Sequence, residues 1–108
     1  MDFENSFKVM QRAAHDCSCL HGFWEKERNQ AECIALMHSE LSEALEAIRN
    51  GNPNSSKIKE FSSLEAELAD CIIRIMDFAE GFGLDVAGAI IAKAKYNLTR
   101  AYKHGKEF

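Results

Sequence analysis

The sequence predicts an all-α chain, a four-helix bundle assembled as an oligomer, and three observations carry that reading. Apolar residues recur at helical spacing through four segments. The breaks between those segments hold most of the glycines, the single proline and a cluster of Asn and Ser. No stretch alternates apolar and polar residues in the manner of a half-buried strand, and no internal repeat is present.

The first helix is predicted over Phe3–Leu20, where Phe3, Phe7, Met10, Ala14 and Cys17 share one face. His21-Gly22-Phe23-Trp24 interrupts it. The second is predicted over residues 29–49 and ends at Asn50-Gly51-Asn52-Pro53-Asn54-Ser55-Ser56, the clearest loop in the chain. The third is predicted over residues 62–80, stopped by Gly81-Phe82-Gly83. Asp85 then N-caps a fourth helix that is expected to continue to Lys103. The third helix is apolar over most of its girth, so it should be surrounded by protein, including another subunit.

A chain of 108 residues makes one domain, spanning 1–108. No apolar run reaches the roughly 18 residues that span a bilayer. The start, Met1-Asp2-Phe3-Glu4-Asn5, lacks the basic region of a signal peptide, so a cytoplasmic location without a membrane partner is expected. A net charge of -4, with no early basic block, argues against nucleic acid as a partner. The cations gather instead at Lys93, Lys95, Arg100, Lys103 and Lys106, a place to hold a small anion. Four cysteines in a cytosolic chain read as free thiols, with Cys33 and Cys71 as small core residues. The run His15-Asp16-Cys17-Ser18-Cys19-Leu20-His21 lacks the spacing of a structural zinc site.

The acids carry the functional signal. At about 100° per residue, Glu40 falls inside the apolar arc of the second helix, among Leu36, Ala47, Cys33, Ala44, Met37, Ile48, Leu41 and Leu45. Glu43 lies at the arc's border, and Glu46 on the solvated side. In the third helix, a narrow polar gap carries Glu67, Asp70, Arg74 and Asp77. Two consecutive helices thus each present an acidic pair at i, i+3, Glu40 with Glu43 and Glu67 with Asp70, stacked on one face. A single Glu-x-x-Glu would be an ordinary surface pattern; two beside apolar arcs point to a metal site. Packed antiparallel, the helices would bring four mutually repelling carboxylates together, a set that suits magnesium and, through it, a polyphosphate. Iron is disfavoured because neither pair has the His of a Glu-x-x-His motif.

In the fourth helix, Lys93, Asn97, Arg100 and His104 form a stripe, with Ile90, Ala94, Leu98, Ala101 and Ile91 on the core-facing side. Beside an acidic metal site, that stripe reads as a phosphate clamp. Phe23 and Trp24 have two readings, a staple between helices or a platform for a nucleobase. Packing is favoured for Phe23, and Trp24 stays open.

The pattern Ser39-Glu40-x-x-Glu43, followed after residues 44–66 by Glu67-x-x-Asp70, resembles the E-E-x-x-E and E-x-x-D signature of MazG-type nucleotide pyrophosphohydrolases. The end, from Lys93 through Tyr96, Asn97, Arg100, Lys103, His104 and Gly105 to Lys106, resembles the tail of short MazG-like proteins. The likeness runs from about Trp24 to the C-terminus. It implies an all-α pyrophosphatase fold, a homodimer or homotetramer, and magnesium-dependent hydrolysis of a nucleoside triphosphate, deoxy in sugar, to the monophosphate and pyrophosphate. The implied role is house-cleaning of the nucleotide pool. The expected metal ligands are Glu40, Glu43, Glu67 and Asp70. Glu40, Lys93 and Arg100 are expected to be catalytic, and Trp24, Lys93, Tyr96, Asn97, Arg100 and Lys103 to bind substrate. Ser39 departs from the signature, which puts the general base in question. It keeps alive an alternative in which a non-catalytic helical oligomer serves as nucleotide sensor or adaptor.

Overall fold

The computed structural model describes residues 2–108. It contains α1 (Phe3–Leu20), α2 (Gln30–Arg49), α3 (Ser63–Gly81) and α4 (Val86–Leu98), followed by a 3-10 turn at Tyr102–Gly105. Among the described residues there is no strand, only an isolated bridge between Asn54 and Ser62. No helix there is long and apolar enough to cross a membrane.

Local chemistry starts each helix. Asp2, Asn29 and Asp85 accept backbone N–H groups of Asn5, Glu32 and Gly88 at 2.8, 3.0 and 3.0 Å. Ser62 and Glu65 form a reciprocal capping box at the start of α3. α2 stops where Asn50 caps it and Gly51 turns the chain at φ 79°, a left-handed value that glycine adopts without strain.

α4 ends at Leu98, short of the expected Lys103. The Thr99 hydroxyl donates to the Tyr96 carbonyl at 2.7 Å, and Ala101 is extended. Lys103 and His104 then adopt left-handed φ values of 52° and 54°. From Ala92 to Thr99 the chain is exposed, so little packing supports the helix as it reaches Leu98 and its apolar periodicity does not carry it to Lys103. The expected core-facing side of this helix is largely bare, with Leu98 87% exposed.

α3 lies between α1 and α2, while the main contact of α4 is with α1, and it is light. The single chain is therefore a three-helix arrangement with an outlying fourth helix rather than a closed bundle. α2 and α3 run antiparallel: Glu40 pairs with Arg74, and Asn52, farther along the chain, bonds back to Leu64. The buried apolar residues are small, namely Cys33, Ala44, Ala47, Cys71, Ala79 and Ala87. The predicted apolar arc of α2 is wider than the strip that α3 covers, so Leu41, Leu45 and Ile48 stay exposed. The radius of gyration, 16.1 Å, exceeds the roughly 13 Å of a compact domain of this length.

Candidate metal centre

Where α2 crosses α3, Glu40, Glu67 and Asp70 each bring a carboxylate oxygen within 4.8 Å of the others. The antiparallel crossing produces this directly. Glu40 is one of four buried residues on the α2 strip, beside Cys33, Ala44 and Ala47, and faces the polar gap of α3. Glu43 stands beside Glu40 and Glu67, close enough to shift both. It is exposed and outside the tight group of three.

The electrostatics show how crowded this spot is. Burial, with the carboxylates of Glu43, Glu40 and Asp70 beside it, pushes Glu67 up to about 7. Burial likewise raises Asp70, helped by Glu40 and opposed by the cations Lys57 and Arg74. Burial also pushes Glu40 upward, but the Arg74 guanidinium and the carboxyl groups of Glu67 and Glu43 outweigh it and hold Glu40 below its ordinary range. Arg74 Nε donates to Glu40 Oε1 at 2.9 Å. The remaining oxygens, Glu40 Oε2 and Glu67 Oε2, are buried without a hydrogen-bond partner. Buried carboxylate oxygens with nothing to accept from are what a hard cation with oxygen ligands satisfies, so the donor set could hold such a cation.

The acids stand between two clefts. One, of about 600 Å³, runs from Glu40, Asp70, Lys57 and Arg74 to a mostly apolar end at Met10, Ala14 and Phe23. The other, of about 520 Å³, is more polar and includes Glu43, Glu46 and Glu67. Glu46 is exposed, as its wheel position predicts, yet it lies on the rim of this second cleft.

The cations at the site are not the expected ones. Lys57, from the loop between α2 and α3, and Arg74 line the first cleft with the acids. Lys93, Tyr96, Asn97, Arg100 and Lys103 line neither cleft. Instead the Lys93 ammonium and the Arg100 guanidinium sit over the Tyr96 ring at 5.1 and 5.6 Å. Arg74 had a signal in the sequence, a long cation one turn beyond Asp70 in the same polar gap. Lys57 had none, since a loop residue's position is set by the whole fold.

Of the aromatic pair, Phe23 departs from the packing role expected of it, and Trp24, whose reading is open in the sequence, is the one that packs. Trp24 packs edge-on against His15 and Phe82, and its indole N–H donates to Asp77 at 2.9 Å. A side chain at Gly81 would collide with this indole, so the glycine makes the seat. Phe23 is exposed and lines the apolar end of the first cleft. Ser39, in the place of the first signature Glu, is exposed and donates to the Leu36 carbonyl at 2.6 Å, turned back on its own helix.

Compared with models of protein families, with curated proteins and with solved structures, the chain has no significant match in any of the three.

Proposed function

We propose that this chain is a magnesium-dependent nucleoside triphosphate pyrophosphohydrolase of the MazG type, acting on the nucleotide pool as a homodimer or homotetramer. The observation that carries the reading is the convergence of Glu40, Glu67 and Asp70 within 4.8 Å, with buried oxygens left unpartnered. These three, with Glu43 beside them, would hold the metal. When bound, magnesium supplies charge neutralisation for phosphate oxygens and a water of lowered pKa.

The chain's own residues account for the rest. The larger cleft has the volume for a nucleoside, with Phe23 offering a ring face and the acids closing the phosphate end. Lys57 and Arg74 lie where phosphate charge would enter, and with its Nε on Glu40 the Arg74 guanidinium still has terminal N–H groups to offer a phosphate. Lys93, Asn97 and Arg100 take part if they come from a neighbouring copy. The exposed apolar strip of α2 and the bare far end of α4 favour such an assembly, because one chain leaves both uncovered.

The test is product analysis. Pure protein with magnesium and a panel of ribo- and deoxynucleoside triphosphates should release monophosphate and pyrophosphate. Diphosphate and orthophosphate would refute the bond assignment. Tight nucleotide binding without turnover would favour the sensor alternative, which the Ser39 departure keeps open by leaving the general base unassigned.

A further inference from the structure

The C-terminal end of α1 carries two thiol–imidazole pairs, and they differ in what holds the ring. Cys19 Sγ lies 3.4 Å from His15 Nε2. The other nitrogen of that ring, Nδ1, is 2.8 Å from Asp77 Oδ1 on α3. Asp77 is buried, and the same oxygen accepts the Trp24 indole N–H at 2.9 Å. Its second oxygen faces Arg28 at 3.5 Å. An ionised carboxylate only accepts, so the ring hydrogen sits on Nδ1 and the Nε2 lone pair faces the thiol. Trp24 also fixes the ring edge-on, with centroids 4.9 Å apart. Thiol, imidazole and carboxylate in sequence form the arrangement that activates a nucleophile: a base within reach, itself oriented by a third group.

The second pair supplies a contrast within the same helix. Cys17 Sγ lies 3.7 Å from His21 Nδ1. That nitrogen is also 2.8 Å from the Cys17 carbonyl oxygen. A carbonyl oxygen cannot donate, so Nδ1 carries the hydrogen and presents no lone pair to the sulfur. Both thiols are exposed, and both have a histidine one turn away, but only Cys19 faces a base.

We propose that Cys19 is a modification site, a thiol primed by His15 and positioned through Asp77 for exchange with small disulfides such as oxidised glutathione. The Cys19 proton passes to His15 Nε2, and the sulfur attacks one sulfur of the disulfide. A bond forms between Cys19 and that sulfur as the reagent's own S–S bond breaks, and the departing thiolate takes the proton. Two residues along a helix point to nearly opposite sides, so Cys17 cannot reach back to resolve the adduct. The mixed disulfide therefore persists until an external thiol removes it. Cys19 and His15 line neither cleft beside the acids, whereas Cys17 and Asp77 line the first, so the thiol chemistry is read from adduct formation and not from hydrolysis.

The test uses the reduced full-length chain and a chromogenic aromatic disulfide. The Cys17→Ser variant should keep a fast-reacting thiol, and Cys19→Ser should lose it. The two rates should differ by about three- to tenfold, because only Cys19 has a base lone pair within reach to take its proton as the sulfur attacks. His15→Gln should slow Cys19 to the rate of Cys17. Equal rates for the two thiols, or a Cys19 rate unmoved by His15→Gln, would overturn the proposal. If His15→Gln melts early, the wild-type chain decides alone. Brief exposure to oxidised glutathione, followed by fragmentation mass spectrometry, should place the first adduct on Cys19. An adduct on Cys17, or one shared evenly, sinks the idea.

Discussion

The crossing of α2 with α3 and the segment from α4 to the C-terminus carry opposite charges and are finished to very different degrees. At the crossing, Glu40 is buried, hydrogen-bonded to Arg74 and within reach of Glu67 and Asp70. In α4 and beyond, Lys93, Arg100 and Lys103 lie over tyrosine rings and make no ion pair among the described residues. One chain can gather like charges because α3 packs firmly on α2 and holds them there. It does not gather the cations, because the helix that bears them packs on almost nothing. The acidic half is a cluster that one copy assembles; the basic half is a surface that one copy leaves uncovered.

The largest effect should come from the finished half. Glu67→Gln or Asp70→Asn should lower pyrophosphate release by at least about a hundredfold, the scale of losing one preorganised charge-stabilising group. Without magnesium, Glu67→Gln should melt no earlier than the parent chain, since it relieves repulsion among the carboxylates. Glu32→Gln, in the first turn of α2, is a cleaner control than Glu46→Gln, which touches the cleft rim. Early melting of Glu67→Gln with and without metal would mean that these acids serve the fold instead.

The next effect tests whether the two halves meet across copies. Arg100→Ala and Glu67→Gln should each be inactive alone. Subunits exchanged between the two in a dimer should recover about a quarter of the parent rate, because half the dimers are mixed and one of their two sites is intact. No recovery from subunits shown to exchange would place the cations in their own chain's site, or in none.

A third effect is carried by protons. Glu67 titrates near 7 when folded, against about 4.3 in an unfolded chain. Between those values the folded chain holds a proton that the unfolded chain has released, so stability without metal should fall as pH rises from about 5 to 7. Raised Asp70 acts in the same direction, while lowered Glu40 adds stability that is lost only in stronger acid. Magnesium held by Glu67 would displace that proton, so its affinity should climb over the same range. Melting curves that rise with pH without metal would contradict the crowding.

What the sequence revealed follows the same division. α1 spans Phe3–Leu20 as its periodicity predicts, and α2 and α3 start within a residue of expectation because Asn29 and Ser62 cap them locally. Glu40 was legible because a charge inside an apolar arc has no reason to be there unless it is held, and Glu67 and Asp70 because they repeat its i, i+3 acidic spacing in the narrow polar gap of the next helix. The end of α4 was not legible, since its periodicity continues where packing does not. Lys57 and the seat of Trp24 were hidden for another reason. Each depends on a contact between distant segments, the loop against α3 and the indole against Gly81.

The smallest effect concerns the stability of the basic half. Arg100 makes no ion pair among the described residues and lies 5.6 Å from the Tyr96 centroid. An exposed contact of that kind contributes about 0.5–1 kcal/mol. Arg100→Ala should therefore shift unfolding by no more than that in the free chain, near the spread of ordinary surface substitutions. The comparison sharpens when ligand is added. If Arg100 meets phosphate in an assembled site, parent and variant should melt nearly together alone and separate once magnesium and a slowly hydrolysed triphosphate analogue are present, because only the parent gains the bound ligand's full stabilisation. Two curves that stay together under both conditions would remove Arg100 from the phosphate site. A large gap already present without ligand would show that the basic segment is held by the fold, and that the contrast between the two halves is smaller than their contacts imply.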